Sequence, residues 1–296
     1  MFARGTLVGT LMLVMAESNR RFELADVPHL TDIANRAAVS LENARLYNHE
    51  RFVAGSFQRE LLGRELPQDD RLCLRAMYQA GGELVDIGGD YFDAFFVSAD
   101  RIALAVGDVV GKGIPAATVM SQLRTALRAF ALEGNGPAET LNRLDGFVNS
   151  IPGADCSSVV YAELDLRTNQ LVYACAGHPP PLLISEDREA LALWDGRSSL
   201  LGTAQPMPRS ESRVQVLVGS TLIMYTDGLV EARERSIDEG IAELIDVLRG
   251  EPSIDLEALV AKMKVSDVQR DDICVLAVTP RTPSGGGIAD SVSPAK

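Results

Sequence analysis

From Leu72 to Thr279 the chain is a succession of short apolar segments of strand length: LCLRAMYQ, YFDAFFVS, RIALAVGD, SSVVYAEL, QLVYACAG, PLLIS, RVQVLV, TLIMYT and ICVLAVT. LRTN and EDRE fall between neighbouring segments, where antiparallel hairpins turn. Helical spacing intervenes in two separate groups. After Pro115 it links Ala116, Met120, Leu123, Leu127 and Phe130, then Leu141, Leu144 and Phe147; later it fits Ile237 to Leu248 and Leu256 to Met263. Many antiparallel strands with helices in separate clusters predict an α+β layered sandwich, not a parallel doubly wound sheet.

Four of these segments begin or end on an aspartate that stands beside a glycine or a second acid. They are Asp90 in DIGGDYFD, Asp108 in LAVGDVVGKG, Asp227 in IMYTDGLVEA and Asp271, next to Asp272, in RDDICVLAV. Each sits where an apolar run leaves the core. Carboxylates gathered in one place repel one another and rise in pKa unless a cation compensates them. An all-oxygen set of this kind suits magnesium or manganese, so the pattern predicts a metal site. Gly88, Gly89, Gly107, Gly111, Gly113 and Gly228 provide tight backbone turns next to it.

The 296 residues allow one large domain and something smaller, and 46% apolar content is ample for a core. With 41 acidic against 28 basic residues, the net charge of −13 leaves no broad footprint for nucleic acid or an anionic membrane. The expected partner is a protein or a small molecule. Cys73, Cys156, Cys175 and Cys274 are far apart and lack metal-ligand spacing; they read as buried, reduced thiols in a cytoplasmic protein. GTLVGTLMLVMA is too short to cross a bilayer and lacks a cleavage site.

Residues 5 to 16 read as a strand. Asp26 and Pro28 then open a helix in which Leu30, Ile33, Ala34, Ala37, Leu41 and Ala44 recur at helical spacing, with Phe52, Phe57, Leu61 and Leu62 as a possible continuation. Ended near Gly63 and Pro67, it is a rod of about 50 Å. Such a rod cannot bury its own stripe, so it pairs with a second copy or packs on the following domain. GTLVGTLMLVMA with RRFELADVPHLTDIANRAAVSLENARLYNHE resembles the closing strand and last helix of a GAF sensor domain. That resemblance covers only residues 1–50, without a whole ligand pocket: either the binding half has been lost, or it lies upstream of an excised piece. Residues 51–71 then form a helical linker, 72–279 the main domain, and 280–296, rich in Pro, Gly and Ser, a disordered tail or linker.

The series DIGGDYFD, GDVVGKGIPAA, AGHPPPLL, LLG, YTDGLVEAR and DDICVLAV, in this order, resembles the bacterial SpoIIE/RsbU branch of the metal-dependent type 2C serine/threonine phosphatases. The resemblance implies an α-β-β-α layered sandwich and two Mn2+ or Mg2+ ions. Carried over residue by residue, Asp108 bridges the two ions and the carbonyl of Val109 contacts one of them. Asp90 reaches the second ion largely through water, while Asp227 and Asp271 complete the first, with Asp272 as the alternative to Asp271. Asp108 and Asp227 are the residues on which catalysis rests. The implied reaction is hydrolysis without a covalent phospho-enzyme, and the implied substrate is a phosphorylated anti-sigma-factor antagonist in a partner-switching pathway.

This sequence departs from the wider family at Val110, where eukaryotic relatives place a histidine as general acid. His178 in AGHPPPLL matches the branch motif and reads as a structural residue of the Gly-Pro turn. Lys112 is a candidate phosphate contact in a place without a secure arginine. GGDYF differs from the GGDEF loop of diguanylate cyclases at Tyr91, and Gly111-Lys112-Gly113 lacks the Ser or Thr of a P-loop. A catalytically inactive phosphatase-like signalling module is the alternative function.

Overall fold

The computed structural model describes residues 1–14, 21–62, 66–81, 88–204, 207–250, 254–265 and 271–282, with the side chains of 49–62 left aside. The chain divides into two compact units, Met1–Phe57 and Gln58–Lys296.

The first unit opens with β1 (Phe2–Ala3) and β2 (Thr6–Leu7), an antiparallel hairpin turned by Arg4 and Gly5, both at positive φ. The single strand expected over residues 5 to 16 does not form across the described part. The hairpin pairing ends where the Val8 amide donates to the Met1 carbonyl at 3.0 Å and the Gly9 carbonyl accepts from the Met1 amino group at 2.9 Å. Beyond it no backbone ladder continues among the described residues, and Leu11, Met12, Leu13 and Val14 stay exposed. An extended segment without a partner leaves its amides to water and is not a strand. A 3-10 turn at Leu24–Asp26 leads into α1 (Val27–Leu62). Asp26 does not cap this entry alone: its carboxylate accepts from the Glu23 amide at 2.9 Å as one half of a capping box. Gly55 does not break α1, whose 36 residues span about 54 Å. Phe52, Phe57, Leu61 and Leu62 lie outside the described side chains.

In the second unit the order is β3 (Leu72–Gln79), β4 (Tyr91–Ser98), β5 (Arg101–Asp108), α2 (Ile114–Leu132), α3 (Pro137–Val148), β6 (Ser158–Asp165), β7 (Gln170–Ala176), β8 (Leu182–Ile184), β9 (Ala190–Ala192), β10 (Arg197–Ser198), β11 (Ser212–Gln215), β12 (Thr221–Tyr225), α4 (Ile237–Gly250), α5 (Leu256–Met263) and β13 (Ile273–Pro280). One sheet runs β10-β7-β6-β5-β4, with β11 also on β7; the other runs β3-β13-β12-β8-β9.

Alternation along the strands makes four layers. On β5, Ile102, Leu104 and Val106 face the second sheet, while Ala103 and Ala105 face α2 and α3. On β13, Cys274, Leu276 and Val278 join the same central layer, while Ile273, Val275 and Ala277 pack under α4 and α5. A strand with both faces covered must be apolar along its covered length, which is why Ile102–Val106 and Ile273–Val278 carry no charge, while Arg101 at the exposed start of β5 pairs with Glu163. The fold is therefore the α-β-β-α sandwich expected. Leu123 and Leu127 of α2 and Leu141 and Leu144 of α3 are fully buried, each contributing about 1.5–3 kcal/mol. Arg128 of α2 forks onto buried Asp93 of β4 and lies 4.4 Å from the centre of the Phe95 ring, tying helix to sheet.

All four cysteines are free, but only Cys175 and Cys274 are buried. Cys156 is exposed because it occupies a left-handed turn position (φ 64°) ahead of β6, and Cys73 is half-buried at the start of β3. Residues 283–296 of the expected tail lie outside the described residues.

Candidate metal centre

Strand register assembles the acids in two pairs. Tyr91 opposes Gly107 in the antiparallel β4-β5 ladder, so Asp90, one step before Tyr91, comes beside Asp108, one step after Gly107. In the other sheet Tyr225 opposes Val275, and the ladder continues one step further: the Thr226 amide donates to the Cys274 carbonyl at 3.0 Å, and the Cys274 amide to Thr226 Oγ1 at 2.9 Å. Asp227 thereby reaches the Asp271-Asp272 doublet.

Two glycines allow the backbones to close. A Cβ on Gly89 would overlap the carbonyl oxygen of Val109, and one on Gly228 would overlap the carbonyl of Asp272. The first contact seats Gly88–Asp90 on the GDVV loop; the second seats the 3-10 turn Asp227–Leu229 on the start of β13.

The pairs meet electrostatically at one end of the sandwich. Burial, then the charge of Asp108, pushes Asp90 well above the usual carboxylate range; burial also raises Asp108, with Asp271 adding to it. Asp227 is pushed up to about 7 by burial and by Asp108 and Asp271. Burial lifts Asp272 to about 6, against the pull of the Gly81 amide. Asp90, Asp108, Asp227 and Asp272 each sense another of these carboxylates, and the charge of Asp271 acts on three of them, so all five predicted acids share one neighbourhood.

Within it the two acids of the doublet differ in burial and in partners. Asp272 is 8% exposed; its Oδ1 accepts from the Gly81 amide at 2.7 Å, and its other oxygen lies where a Cβ on Gly88 would be. Asp271 is exposed, and its charge acts on Asp108 and Asp227. Asp272 is thus turned onto the neighbouring loops, while Asp271 stays exposed with its Oδ1 accepting from the Asp272 amide at 2.9 Å.

The residues fit a hard divalent cation in kind. All are oxygen donors, and Asp90, 2% exposed, has an Oδ2 with no hydrogen-bond partner. Among the described residues no three His, Cys, Asp or Glu side chains are arranged to close on a single ion as they stand.

His178 lies beneath this end. Its Nε2 faces the carbonyl oxygen of Tyr225 at 3.1 Å and therefore carries the proton, so Nδ1 accepts from Ser158 Oγ at 2.6 Å. Burial depresses its pKa to about 3. The residue is a neutral strut between β6 and β12. Val110 and Lys112 are both exposed on the loop between β5 and α2.

Residues 98–281 match the family model for Stage II sporulation protein E. The chain belongs to the SpoIIE family. Its relatives include the phosphoserine phosphatase RsbU of Bacillus subtilis (strain 168), 28% identical over 182 residues, covering 61% of this chain and 53% of that protein. The phosphoserine phosphatase RsbP of the same organism is 24% identical over 223 residues, with 71% and 53% covered. The chain thus spans about half the length of these curated relatives. Among solved structures, the RsbU and RsbW domains of Rv1364c from Mycobacterium tuberculosis superpose with a TM-score of 0.65 at 34% identity, over 72% of this chain and 61% of that one. The SiaA-PP2C domain of Pseudomonas aeruginosa shares the fold, with a TM-score of 0.64 at 22% identity over 80% and 98% of the two chains.

Two anchors of this SpoIIE-family domain are not read from its sequence. Arg235, inside the segment EARER, is 9% exposed and donates to the carbonyls of Val230 (2.8 Å), Leu229 (3.0 Å) and Met263 (3.0 Å), and to Glu243 (2.8 Å). It pins the chain leaving Asp227. Arg209 meets Asp145 at 3.1 Å, and the same carboxylate accepts from the Gly202 amide at 2.8 Å, which fixes the LLG turn. The available signal for Arg235 was a basic residue directly after an acid-rich turn, which composition alone does not distinguish from a solvated charge.

Proposed function

We propose that this chain is a metal-dependent protein serine/threonine phosphatase with a two-ion centre of Mn2+ or Mg2+. The observation that carries the reading is the meeting of Asp90 and Asp108 from one sheet with Asp227 and Asp271 from the other, within a SpoIIE-family domain. When bound, the two ions supply a water of lowered pKa and neutralise phosphoryl charge. Asp108, in the company of Asp90, Asp227 and Asp271, would be the ligand shared by the ions, and the Val109 carbonyl would add a neutral oxygen. Asp271, the more exposed of the doublet, would complete the set, with Asp272 as the alternative.

The chain's own contribution is placement. The Gly89 and Gly228 contacts hold the acids without bulk around them, Arg235 fixes the turn after Asp227, and Asp272 ties the loops behind the site. No side chain at position 110 can donate a proton, and His178 is engaged at both nitrogens. With metal contacts confined to phosphate, substrate choice rests on protein surface. The phosphoserine phosphatases RsbU and RsbP among the relatives support a phosphoserine substrate, and the resemblance to the SpoIIE/RsbU branch implies a phosphorylated anti-sigma-factor antagonist and a cytoplasmic role in partner switching.

Manganese-dependent release of phosphate from a phosphoserine peptide tests the activity, and release from phosphorylated antagonists tests the substrate. Metal binding without turnover at any concentration contradicts the first; turnover of small esters but of no antagonist contradicts the second.

A homodimer through α1 completes the proposal. Val27, Ile33, Val39 and Leu41 are each about half exposed along this helix. A second copy covers such positions, and Leu41→Gln then lowers the dimer mass in analytical ultracentrifugation. A wild-type chain that is monomeric at high concentration refutes it.

A further inference from the structure

At the opposite end of the five-stranded sheet, one transverse row crosses four strands. Ile184 pairs with Thr221, the Thr221 and Thr279 hydroxyls lie 2.8 Å apart, and Thr279 pairs with Cys73. The row continues the face that α4 and α5 cover further along, and it forms the floor of a cleft of about 530 Å³. Arg75, Arg188 and Arg281 line this cleft.

Its electrostatics run against those of the chain. The protein carries 41 acidic and 28 basic residues, yet three guanidiniums share this cleft with one carboxylate, Glu186. Glu186 packs over Gly219, where a Cβ would overlap it. Among the described residues, Arg75 donates only to the Ile254 carbonyl, and Arg281 has no side-chain partner. By contrast, Arg71, Arg101, Arg143 and Arg235 each pair with an acid.

The geometry points to a binding site for a phosphoryl dianion, carried by a small phosphomonoester or by free phosphate. Guanidinium forks match its oxygens in pairs, and the threonine hydroxyls supply neutral donors at the floor. The volume exceeds a lone phosphate and suits a small ester. Six residues of extended chain separate Thr221 from Asp227, about 20 Å, so the site is distinct from the acidic centre.

The test is chemical-shift mapping of the Mg2+-loaded protein at constant ionic strength. Inorganic phosphate is one probe; methylphosphonate, a dianion that cannot be hydrolysed, stands for the ester. Saturable movement of the Thr221, Thr279 and Arg281 amides is expected, with the tighter probe identifying the source. The double variant Arg188→Gln, Arg281→Gln weakens that binding at least tenfold while amides elsewhere keep their wild-type positions. Cleft amides that stay still, that move equally with chloride, or that saturate unchanged in the double variant overturn the assignment.

Discussion

The imidazole of His178 donates to the carbonyl of Tyr225 at 3.1 Å, two residues before Asp227, and so joins the two sheets directly below the carboxylates. Because both ring nitrogens are engaged in the buried neutral form, the contact has a pH signature. The pKa is about 3 in the folded chain and about 6.5 in a free side chain. The unfolded state therefore binds the extra proton, and this contribution is complete above about pH 6.5 and is lost as pH falls toward 3. At its steepest the loss is about 1.4 kcal/mol per pH unit. Urea unfolding of wild type and His178→Gln between pH 7 and 4.5 measures it. The stability difference between them narrows as pH falls; a constant difference is evidence against a buried neutral histidine.

The glycine contacts make opposite predictions at different places. Gly228→Ala forces a methyl into the Asp272 carbonyl, so thermal stability falls and manganese affinity falls with it, by about 2 kcal/mol or more of folding free energy. Gly146→Ala, in α3 with open space around the new methyl, stabilises by about 0.5–1 kcal/mol. Calorimetry on the two variants checks both signs.

Division of the Asp271-Asp272 doublet predicts a split between activity and stability. Asp271→Asn reduces turnover at least a hundredfold and leaves the melting temperature near wild type. Asp272→Asn disturbs the acceptor for the Gly81 amide and lowers stability by about 1–3 kcal/mol. Equal effects of both substitutions on both measurements contradict the assignment.

Arg235→Gln leaves backbone carbonyls at Leu229, Val230 and Met263 short of donors. The expected cost is about 2–4 kcal/mol, with faster hydrogen exchange confined to the Asp227 turn and α5. Uniform exchange across the domain rules out a local anchor.

Legibility differed between elements for physical reasons. β3, β4 and β5 coincide with LCLRAMYQ, YFDAFFVS and RIALAVGD because the burial of strand faces imprints itself on the apolar residues, most fully on β5 with both faces covered. β9 and β10, with three and two residues, are too short to hold a period and exist through pairing with β8 and β7. The apolar run after Gly5 shows the converse, since hydrophobicity alone does not make a strand. In the site, the acids were readable because each follows or precedes such a run. The struts were not: His178 meets a carbonyl 47 residues away, and Gly81 meets Asp272 across 191. Pairings of that kind are set by sheet register, which local pattern does not carry.

Anomalous diffraction from crystals soaked in Mn2+ tests the central claim most directly. Two manganese peaks among Asp90, Asp108, Asp227 and Asp271, both lost in Asp108→Ala, are the expected result. Manganese bound elsewhere, or no peak at these carboxylates at saturating metal, contradicts the two-ion phosphatase.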